Sequence, residues 1–340
     1  MQARARRAFT LVEMLVVIAV IAALMGILLV GLQAAQRASK RTRQMADLTQ
    51  LVKAWTQYAG TYGDSILPGY LEEGVQTAWK VSYKYKDGTK IPPEFCRTYP
   101  WRLLPYLDHS FATLYEYLDV NDDELQPKNF DGTPNTTGMQ IVSDQPAFGY
   151  NAYYLGGWWT QDLTNGPTMA FSNSTWQTDA GATAKGLVVA TKLGSVHAPS
   201  DMIVFAASTF RTPGFYNESK DTNATVGSAW VVPHVLADQT IWEPSDGSSF
   251  SGVTVGANAA SAGVFQPTIG QTMTVGGNTG MNVLVAQGVP LRRFGPSVAV
   301  AHVDGSVLGA GLGELENQRL WINAAWKAAP PVNSFTHSQN

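Results

Sequence analysis

Residues from Phe9 to Leu32 read FTLVEMLVVIAVIAALMGILLVGL and form the longest apolar run of the chain. From Met14 onward it contains no charged side chain. At about 1.5 Å per residue, this run forms a helix of roughly 28 Å, close to the ~30 Å hydrocarbon thickness of a bilayer. A helix satisfies all its backbone N–H and C=O groups internally, which a single span through lipid requires. The sequence therefore predicts a membrane-spanning helix over residues 14–32.

A carboxylate, Glu13, stands at the start of this run. An acidic side chain near the bilayer centre costs about 2.5–3.5 kcal/mol on insertion scales, so such groups usually pair with a cation. A secretory signal would have a shorter apolar region of about 7–15 residues. We interpret the segment as a retained anchor. The simplest alternative is an ordinary anchor whose Glu13 lies among the lipid headgroups.

The helix is expected to continue beyond the membrane, because no proline occurs before Pro68 and Gly60 provides a stop. Apolar residues at helical spacing predict one stripe, formed by Ala34, Ala38, Met45, Leu48, Val52, Trp55 and Ala59. The polar residues predicted on the opposite side are Gln36, Lys40, Arg43, Asp47, Gln50 and Lys53. A helix over residues 9–60 would be roughly 75 Å long, with half in lipid and half against a soluble domain.

Composition limits the class of the remaining chain. Of its 340 residues, 14% are charged and the net charge is −3, which argues against nucleic acid as the main partner. The single cysteine, Cys96, excludes an intrachain disulfide. The 32 glycines and 18 prolines indicate a loop-rich β domain. We predict a β-rich globular head over residues 61–340, with a loop-rich insertion at 211–290.

Several local patterns predict elements within the head. Ser297–Leu308 is expected to form a hairpin of alternating residues around a two-residue turn at Asp304 and Gly305. Residues 201–207 predict a buried strand, and residues 108–117 and 314–327 predict short helices. The aromatic-rich segment 148–159 favours core packing over an exposed platform for sugars or another subunit.

The residues Arg6-Arg7-Ala8-Phe9-Thr10-Leu11-Val12-Glu13 resemble the processing signal of the type IV pilin and type II secretion pseudopilin family. The resemblance implies that a prepilin peptidase removes residues 1–8 as a leader, cuts between Ala8 and Phe9, and methylates the new amino terminus. It also implies that Glu13 pairs with the α-amine of a neighbouring subunit during filament assembly. Ala8 departs from the glycine that the family usually has before the cut.

The same resemblance implies an α+β, lollipop-like fold with a long N-terminal helix packed on a globular head. Its implied partners are prepilin peptidase, other pilin or pseudopilin subunits, an inner-membrane assembly platform and the lipid bilayer. Its implied location is the bacterial inner membrane, as a single-pass protein with a cytoplasmic N-terminus and a periplasmic head. From there the subunit would enter an extracytoplasmic filament.

Four segments of the head resemble a class of prepilin-like proteins from planctomycete-type bacteria that carries a His-x9-Asp-Gly signature. These segments are Pro100–Leu107, Phe148–Tyr153, Pro199–Asp201 and Asp304–Ser306. The chain departs from that signature because Phe294 occupies the histidine position. We therefore predict a structural turn role for Asp304 and Gly305.

Metal binding and catalysis receive little support from the sequence. The oxygen-bearing side chains of Asp119, Asn121 and Asp123 resemble the first half of a calcium loop, but Glu124 replaces its glycine and Phe130 its final glutamate. A solvated acidic turn is the favoured interpretation, and calcium binding is the alternative. The five histidines are scattered, and no catalytic motif is evident. We expect no enzyme activity and no cofactor.

The functional hypothesis is a structural subunit of a type II secretion pseudopilus or type IV pilus-like filament. The alternative is a minor or tip subunit whose head binds a glycan, an exported protein or a surface. The head of about 280 residues exceeds what a simple repeating subunit needs, and this size favours the alternative slightly.

Overall fold

In a computed structural model, the described residues are 11–115, 122–170, 175–177, 183–185, 189–211, 227–231, 272–275, 278–282, 287–290, 293–294, 296–311 and 314–327. The helices are α1 (Leu11–Thr61), α2 (Glu73–Ala78), α3 (Tyr99–Leu103), α4 (Ala112–Tyr115), α5 (Asp122–Leu125) and α6 (Thr136–Asp144). The strands are β1 (Tyr70–Leu71), β2 (Tyr83–Lys84), β3 (Lys90–Ile91), β4 (Phe148–Tyr150), β5 (Trp158–Asp162), β6 (Gly166–Ala170), β7 (Thr175–Gln177), β8 (Thr183–Lys185), β9 (Ile203–Arg211), β10 (Thr272–Val275), β11 (Asn278–Asn282), β12 (Gln287–Pro290), β13 (Val298–His302) and β14 (Val307–Ala310).

Helix α1 is uninterrupted over 51 residues, which confirms the long helix in the part that the structure describes. Its predicted start at Phe9 lies outside the described residues. The helix passes Gly60 and ends at Thr61, where Gly63 and Asp64 both adopt positive φ angles of 59° and 68°. The left-handed backbone there turns the chain away from the helix axis and into the head.

The second half of α1 provides one face of the core. Its buried apolar residues are Leu48, Leu51, Val52, Ala54, Trp55, Tyr58 and Ala59. The predicted apolar stripe therefore packs against the core from the partly buried Met45 onward. Ala34 and Ala38 are exposed, because described contacts with the head begin only at Lys40. The predicted polar side is wrong at Asp47, which is buried.

The main sheet packs against this half of the helix. Its order is β12-β9-β13-β14, with β4 also paired to β9, and all these pairings are antiparallel. The predicted strand at residues 201–207 corresponds to β9, whose described side chains from 203 to 208 are buried. A smaller sheet has the order β1-β5-β6, with β1 parallel to β5.

All five residues of β13 are buried. Large and small side chains therefore alternate along this strand, instead of apolar and polar ones. Ala299 pairs with Gly309 of β14, and these two positions share the sheet face toward α1. A Cβ atom at Gly309 would lie 3.1 Å from Nη2 of Arg41. Small residues on this face therefore let the helix approach the sheet closely.

The hairpin between β13 and β14 has a three-residue loop and not the predicted two-residue turn. The N–H of His302 donates to the carbonyl of Ser306 at 2.9 Å, which leaves Val303, Asp304 and Gly305 in the loop. Gly305 has a φ of +89° and donates its N–H to the carbonyl of His302. Glycine accepts this left-handed conformation without the Cβ penalty of other residues, as in the common three-residue loop.

Two predicted helices form differently. Residues 314–327 fold as three 3-10 turns, Glu314–Glu316, Gln318–Leu320 and Asn323–Lys327. The Asn323 side chain accepts from the N–H of His197 and donates to the carbonyl of Ser195, so tertiary bonds compete with one continuous helix. Within residues 108–117, only α4 is described as helical, and Asp108 has a φ of +50°.

The core of the head is unusually rich in aromatic side chains that also form hydrogen bonds. Nε1 of Trp55 donates to the hydroxyl of Tyr150 at 3.2 Å, and that hydroxyl donates to the carbonyl of Leu67 at 2.8 Å. Tyr70 and Trp158 stack with ring centroids 4.3 Å apart. The Trp55–Tyr150 bond joins α1 to the main sheet, and the Tyr70–Trp158 stack lies within the smaller sheet. Each buried aromatic ring adds about 1.5–3 kcal/mol of apolar burial.

A buried arginine organises the start of the head. Arg102 on α3 is 1% exposed and donates to four backbone carbonyls. Its partners are Thr98 at 2.8 Å, Pro68 at 2.7 Å, and Gly69 and Arg97 at 3.2 Å each. A guanidinium carries five N–H donors, so carbonyl oxygens can replace the water that burial removes. The side chain thereby joins α3 to the loop before β1.

Much of the predicted insertion at 211–290 lies outside the described residues. Its described parts include the hairpin of β10 and β11, and β12, which extends the pairing of β9. The long helix and the mixed head with several sheets confirm the α+β, lollipop-like fold. The head is less purely β than predicted, because short helices occupy much of residues 73–144.

The Arg102 network yields a stability prediction. We expect Arg102→Met to lower the free energy of unfolding by about 3 kcal/mol or more, because it leaves four carbonyls without their charged donor. Urea unfolding of the full chain in detergent, followed by tryptophan fluorescence, measures the change. Lys84→Met is the control, since Lys84 is exposed on β2 and should change stability by less than about 0.5 kcal/mol. Equal stability of the two variants would contradict the role of the network.

Candidate functional site: the exposed half of the long helix

The first half of α1 projects from the head as an exposed apolar rod. Within it, an 18-residue window has a mean hydropathy of 3.1 and is 0% buried. Large side chains such as Leu11, Ile18 and Ile27 are 80%, 62% and 76% exposed. Water does not tolerate so large an apolar surface, whereas a bilayer covers it at no cost in backbone hydrogen bonds. The helix is long and apolar enough to cross a membrane.

Of the three residues predicted to act in processing and assembly, Glu13 is the one that the structure describes. Ala8 and Phe9 fall outside the described residues. Glu13 is exposed in the first described turn of α1. It is surrounded in sequence by exposed apolar residues, so a partner binding this end of the helix would meet a carboxylate within an otherwise apolar surface.

A basic collar follows the apolar rod; it consists of Arg37, Lys40, Arg41 and Arg43. Nη2 of Arg41 donates to Oγ of Ser297 at 3.0 Å. Nζ of Lys40 lies 5.7 Å from the ring centroid of Phe294, within cation–π range. The collar therefore marks the junction where the head meets the exposed rod, at the loop that leads into β13.

Just beyond the collar, α1 carries two buried polar residues, which the sequence pattern did not predict to be buried. Gln44 and Asp47 are 3% and 6% exposed, and they lie one turn apart on the same side of the helix. Nε2 of Gln44 and Oδ2 of Asp47 have no hydrogen-bond partner among the described residues. Burial raises the pKa of Asp47 to about 6, although Arg43 acts in the opposite direction.

The buried face of α1 is wider than the predicted stripe. Its positions 44, 47, 51, 54 and 58 recur at spacings of three and four, which is the pattern that indicates this face in the sequence. The predicted apolar stripe that begins at Ala34 covers only part of this face. The polar pair consequently lies inside the contact between helix and head, where its ionisation affects how firmly the two are joined.

The other predicted site residues lie far along the chain from the rod. Asp304 and Gly305 are in the loop of the β13–β14 hairpin, and Oδ1 of Asp304 accepts from the N–H of Ser306 at 2.8 Å. His302 is hydrogen-bonded through Nδ1 to Oγ of Ser306 at 3.2 Å, and burial lowers its pKa. This arrangement stabilises the loop geometry.

The resemblance to a calcium loop is not tested by the described residues. Asp119 and Asn121 lie outside them, and Asp123 is on the exposed turn of α5. Within the described part of the chain, no group of three or more His, Cys, Asp or Glu side chains is arranged to hold a metal ion. Calcium binding stays a prediction.

The aromatic segment 148–159 packs inside the head. Every residue from Phe148 to Trp158 is buried, and the Trp158 ring lies between those of Tyr70 and Tyr153, at centroid distances of 4.3 and 4.9 Å. The favoured interpretation of core packing is therefore confirmed. The alternative of an exposed platform for sugars or another subunit was wrong, because the rings from Phe148 to Trp158 are buried.

Residues 3–29 match the family model of the prokaryotic N-terminal methylation motif, which is the prepilin signal of type IV pilins and pseudopilins. This confirms the resemblance seen between Arg6 and Glu13. The match ends within the apolar rod and does not extend to the head, so the similarity of the head to the His-x9-Asp-Gly class stays a prediction. No curated protein and no solved structure matches the chain.

The buried carboxyl of Asp47 predicts a pH dependence of stability. Its pKa is about 6 in the folded protein and near 3.8 otherwise. The folded state therefore holds this proton more tightly, and stability is lost as the pH rises from about 4 through 6. We expect Asp47→Asn to raise the free energy of unfolding by up to about 3 kcal/mol at pH 8, since the pKa rises from 3.8 to about 6 and each unit corresponds to about 1.4 kcal/mol, and to change little at pH 4.

Chemical unfolding of the full chain in detergent at several pH values measures this effect. The stability of Asp47→Asn still falls as the pH rises, because burial also raises the pKa of Asp144, to about 7. The control is Asp122→Asn, which removes an exposed carboxylate from α5. Destabilisation by Asp47→Asn at pH 8 would show that the carboxylate is needed in its charged form, contrary to the prediction.

Proposed function

We propose that the protein is a structural subunit of a type II secretion pseudopilus or type IV pilus-like filament. Prepilin peptidase cuts the Ala8–Phe9 bond, methylates Phe9 and leaves a subunit that assembles through α1. The observation that carries this proposal is the continuity of the methylation motif at residues 3–29 with the exposed apolar half of one uninterrupted helix.

Before assembly, the bilayer covers the apolar rod. The basic collar then lies at the lipid headgroups, where each cationic side chain gains about 1 kcal/mol from anionic lipid. In this arrangement the N-terminus is cytoplasmic and the head periplasmic, as a single-pass protein of the inner membrane. An assembly platform in that membrane is the partner that moves the subunit into the filament.

During assembly, the rod leaves lipid and must exchange one apolar environment for another. Side-by-side packing with the rods of other subunits provides that environment, because the exposed face extends around the whole helix. Function in this proposal is assembly and not turnover of a substrate. Neither a cofactor nor nucleic acid has a part in it.

Glu13 provides the specificity of this packing. Cleavage creates a cationic α-amine on Phe9, four positions before the carboxylate. Inside a bundle of apolar helices, that amine from one subunit and Glu13 from its neighbour attract strongly, and breaking a buried pair costs about 3–5 kcal/mol. The pair thereby selects one axial offset between subunits.

We expect Glu13→Ala to leave cleavage intact and to reduce filaments in the sheared cell-surface fraction at least about tenfold, since each ~1.4 kcal/mol is a factor of ten. Immunoblotting of the mature chain in the membrane and sheared fractions measures both steps. Met14→Ala is the control, because it removes an adjacent apolar side chain without touching a charge. Normal filament yield with an unchanged rise per subunit in Glu13→Ala would contradict the proposed role.

A further inference from the structure

An open cleft of about 430 Å³ lies between the main sheet and the C-terminal 3-10 turns. Leu308 and Ala310 of β14 line it, and they alternate with Gly309, where an added Cβ atom would meet Arg41 of α1. Neighbouring residues of a strand point to opposite sides of the sheet, so the cleft opens away from α1. Its volume falls in the range of about 300–1,000 Å³ that is typical of small-molecule sites.

Both ends of the cleft are acidic. At one end, Asp201 lies beside the β13–β14 loop, because the carbonyl of Met202 accepts from the N–H of Val303 at 3.0 Å. At the other end, Oε2 of Glu314 accepts from the N–H of Gly311 at 2.7 Å, directly after the last residue of β14. The strand β14 lies between these ends, and its four residues span about 13 Å at ~3.4 Å each.

The wall between the two acidic ends is aliphatic. Its apolar side chains are Ile203, Leu308, Ala310 and Leu320. Leu308 remains 44% exposed, so this apolar surface is open to a ligand. The described lining contains no lysine or arginine, and negative charge therefore dominates both ends of the cleft.

A buried histidine also faces the cleft. His302 belongs to the lining and is only 5% exposed. Its Nδ1 is hydrogen-bonded to Oγ of Ser306 at 3.2 Å, whereas its Nε2 has no hydrogen-bond partner among the described residues. Burial lowers the pKa of His302, so the neutral ring can accept a hydrogen bond through Nε2. A donor placed in the cleft beside Asp201 would satisfy this buried nitrogen.

The separation of the acidic groups indicates two cations instead of one. In the part of the chain that the structure describes, no three His, Cys, Asp or Glu side chains are grouped to hold a metal ion. Two ammonium groups joined by an aliphatic chain match the cleft better. The chain packs on the apolar wall, while each charged end forms a charge-assisted hydrogen bond with one carboxylate.

We propose that the cleft binds a linear aliphatic diamine, with one ammonium group at Asp201 and the other at Glu314. The ammonium group at Asp201 also donates to Nε2 of His302, and the methylene chain covers Leu308. The site lies on the side of the sheet away from α1, and binding needs no second subunit. It therefore goes beyond the proposed function and can be tested on the unassembled chain.

Calorimetric titration of the full chain in a non-ionic detergent, with 1,8-diaminooctane as the probe, tests the site. We expect saturable binding at a single site per chain. The matched probe 8-amino-1-octanol has the same length but one charge, and it should bind at least about tenfold more weakly. The short diamine 1,4-diaminobutane has both charges but cannot reach both ends, and it should bind at least about fivefold more weakly.

Substitutions in the lining test which groups hold the diamine. Asp201→Asn and Glu314→Gln should each lower the affinity for 1,8-diaminooctane at least about fivefold, because each removes one charged acceptor. Neither should lower the affinity for 8-amino-1-octanol by more than this factor. Asp122→Asn is the control, since it removes an exposed carboxylate from α5, outside the described lining, and should change the affinity by less than about twofold.

Two outcomes would overturn the proposed site. One is equal affinity for 1,8-diaminooctane and 8-amino-1-octanol, which would mean that the second charge has no partner. The other is an affinity that Asp201→Asn and Glu314→Gln change no more than Asp122→Asn does. Neither outcome bears on filament assembly, whose failure would be recognised separately by a chain that keeps residues 1–8 or forms no filament.

Discussion

One uninterrupted helix has to be stable in two solvents, and this constraint governs the whole molecule. Over its first half, α1 exposes apolar side chains on every side and needs lipid or other helices around it. Over its second half, the same helix is an internal element of a water-soluble head. No proline or left-handed residue interrupts α1 between Leu11 and Thr61. Any force on one half is therefore transmitted mechanically to the other.

The head is built to hold its half of the helix firmly. Small residues on β13 and β14 allow close packing, and Trp55 is joined to Tyr150 by a buried hydrogen bond. Arg102 joins α3 to the loop before β1, and the rings of Tyr70 and Tyr153 stack on Trp158. Both sets of contacts stabilise the head. A loosely attached head would let the helix slip when neighbours bind its exposed half. Burial raises the pKa of Asp47, so ionisation of this carboxyl at high pH weakens the attachment.

The long helix and its division into two halves could be predicted, because uninterrupted hydropathy and helical periodicity are local properties of sequence. The processing signal could be recognised for the same reason. What could not be predicted depends on tertiary partners. Asp47 is buried because the head covers a wider face of α1 than the apolar stripe. Residues 314–327 form separate 3-10 turns because the Asn323 side chain bonds to the backbone of Ser195 and His197. The length of the loop at Gly305 could not be predicted without the pairing register of β13 and β14.

The most direct test of the account is the mass of the mature protein isolated from membranes, with sequencing of its N-terminal peptide. We predict a chain that has lost residues 1–8 and begins at an N-methylated Phe9, with α1 complete. A chain that retains its leader would contradict it, because the amine that pairs with Glu13 would then not exist. A chain cut beyond Leu32 would contradict it equally, because the apolar half of the helix would be gone.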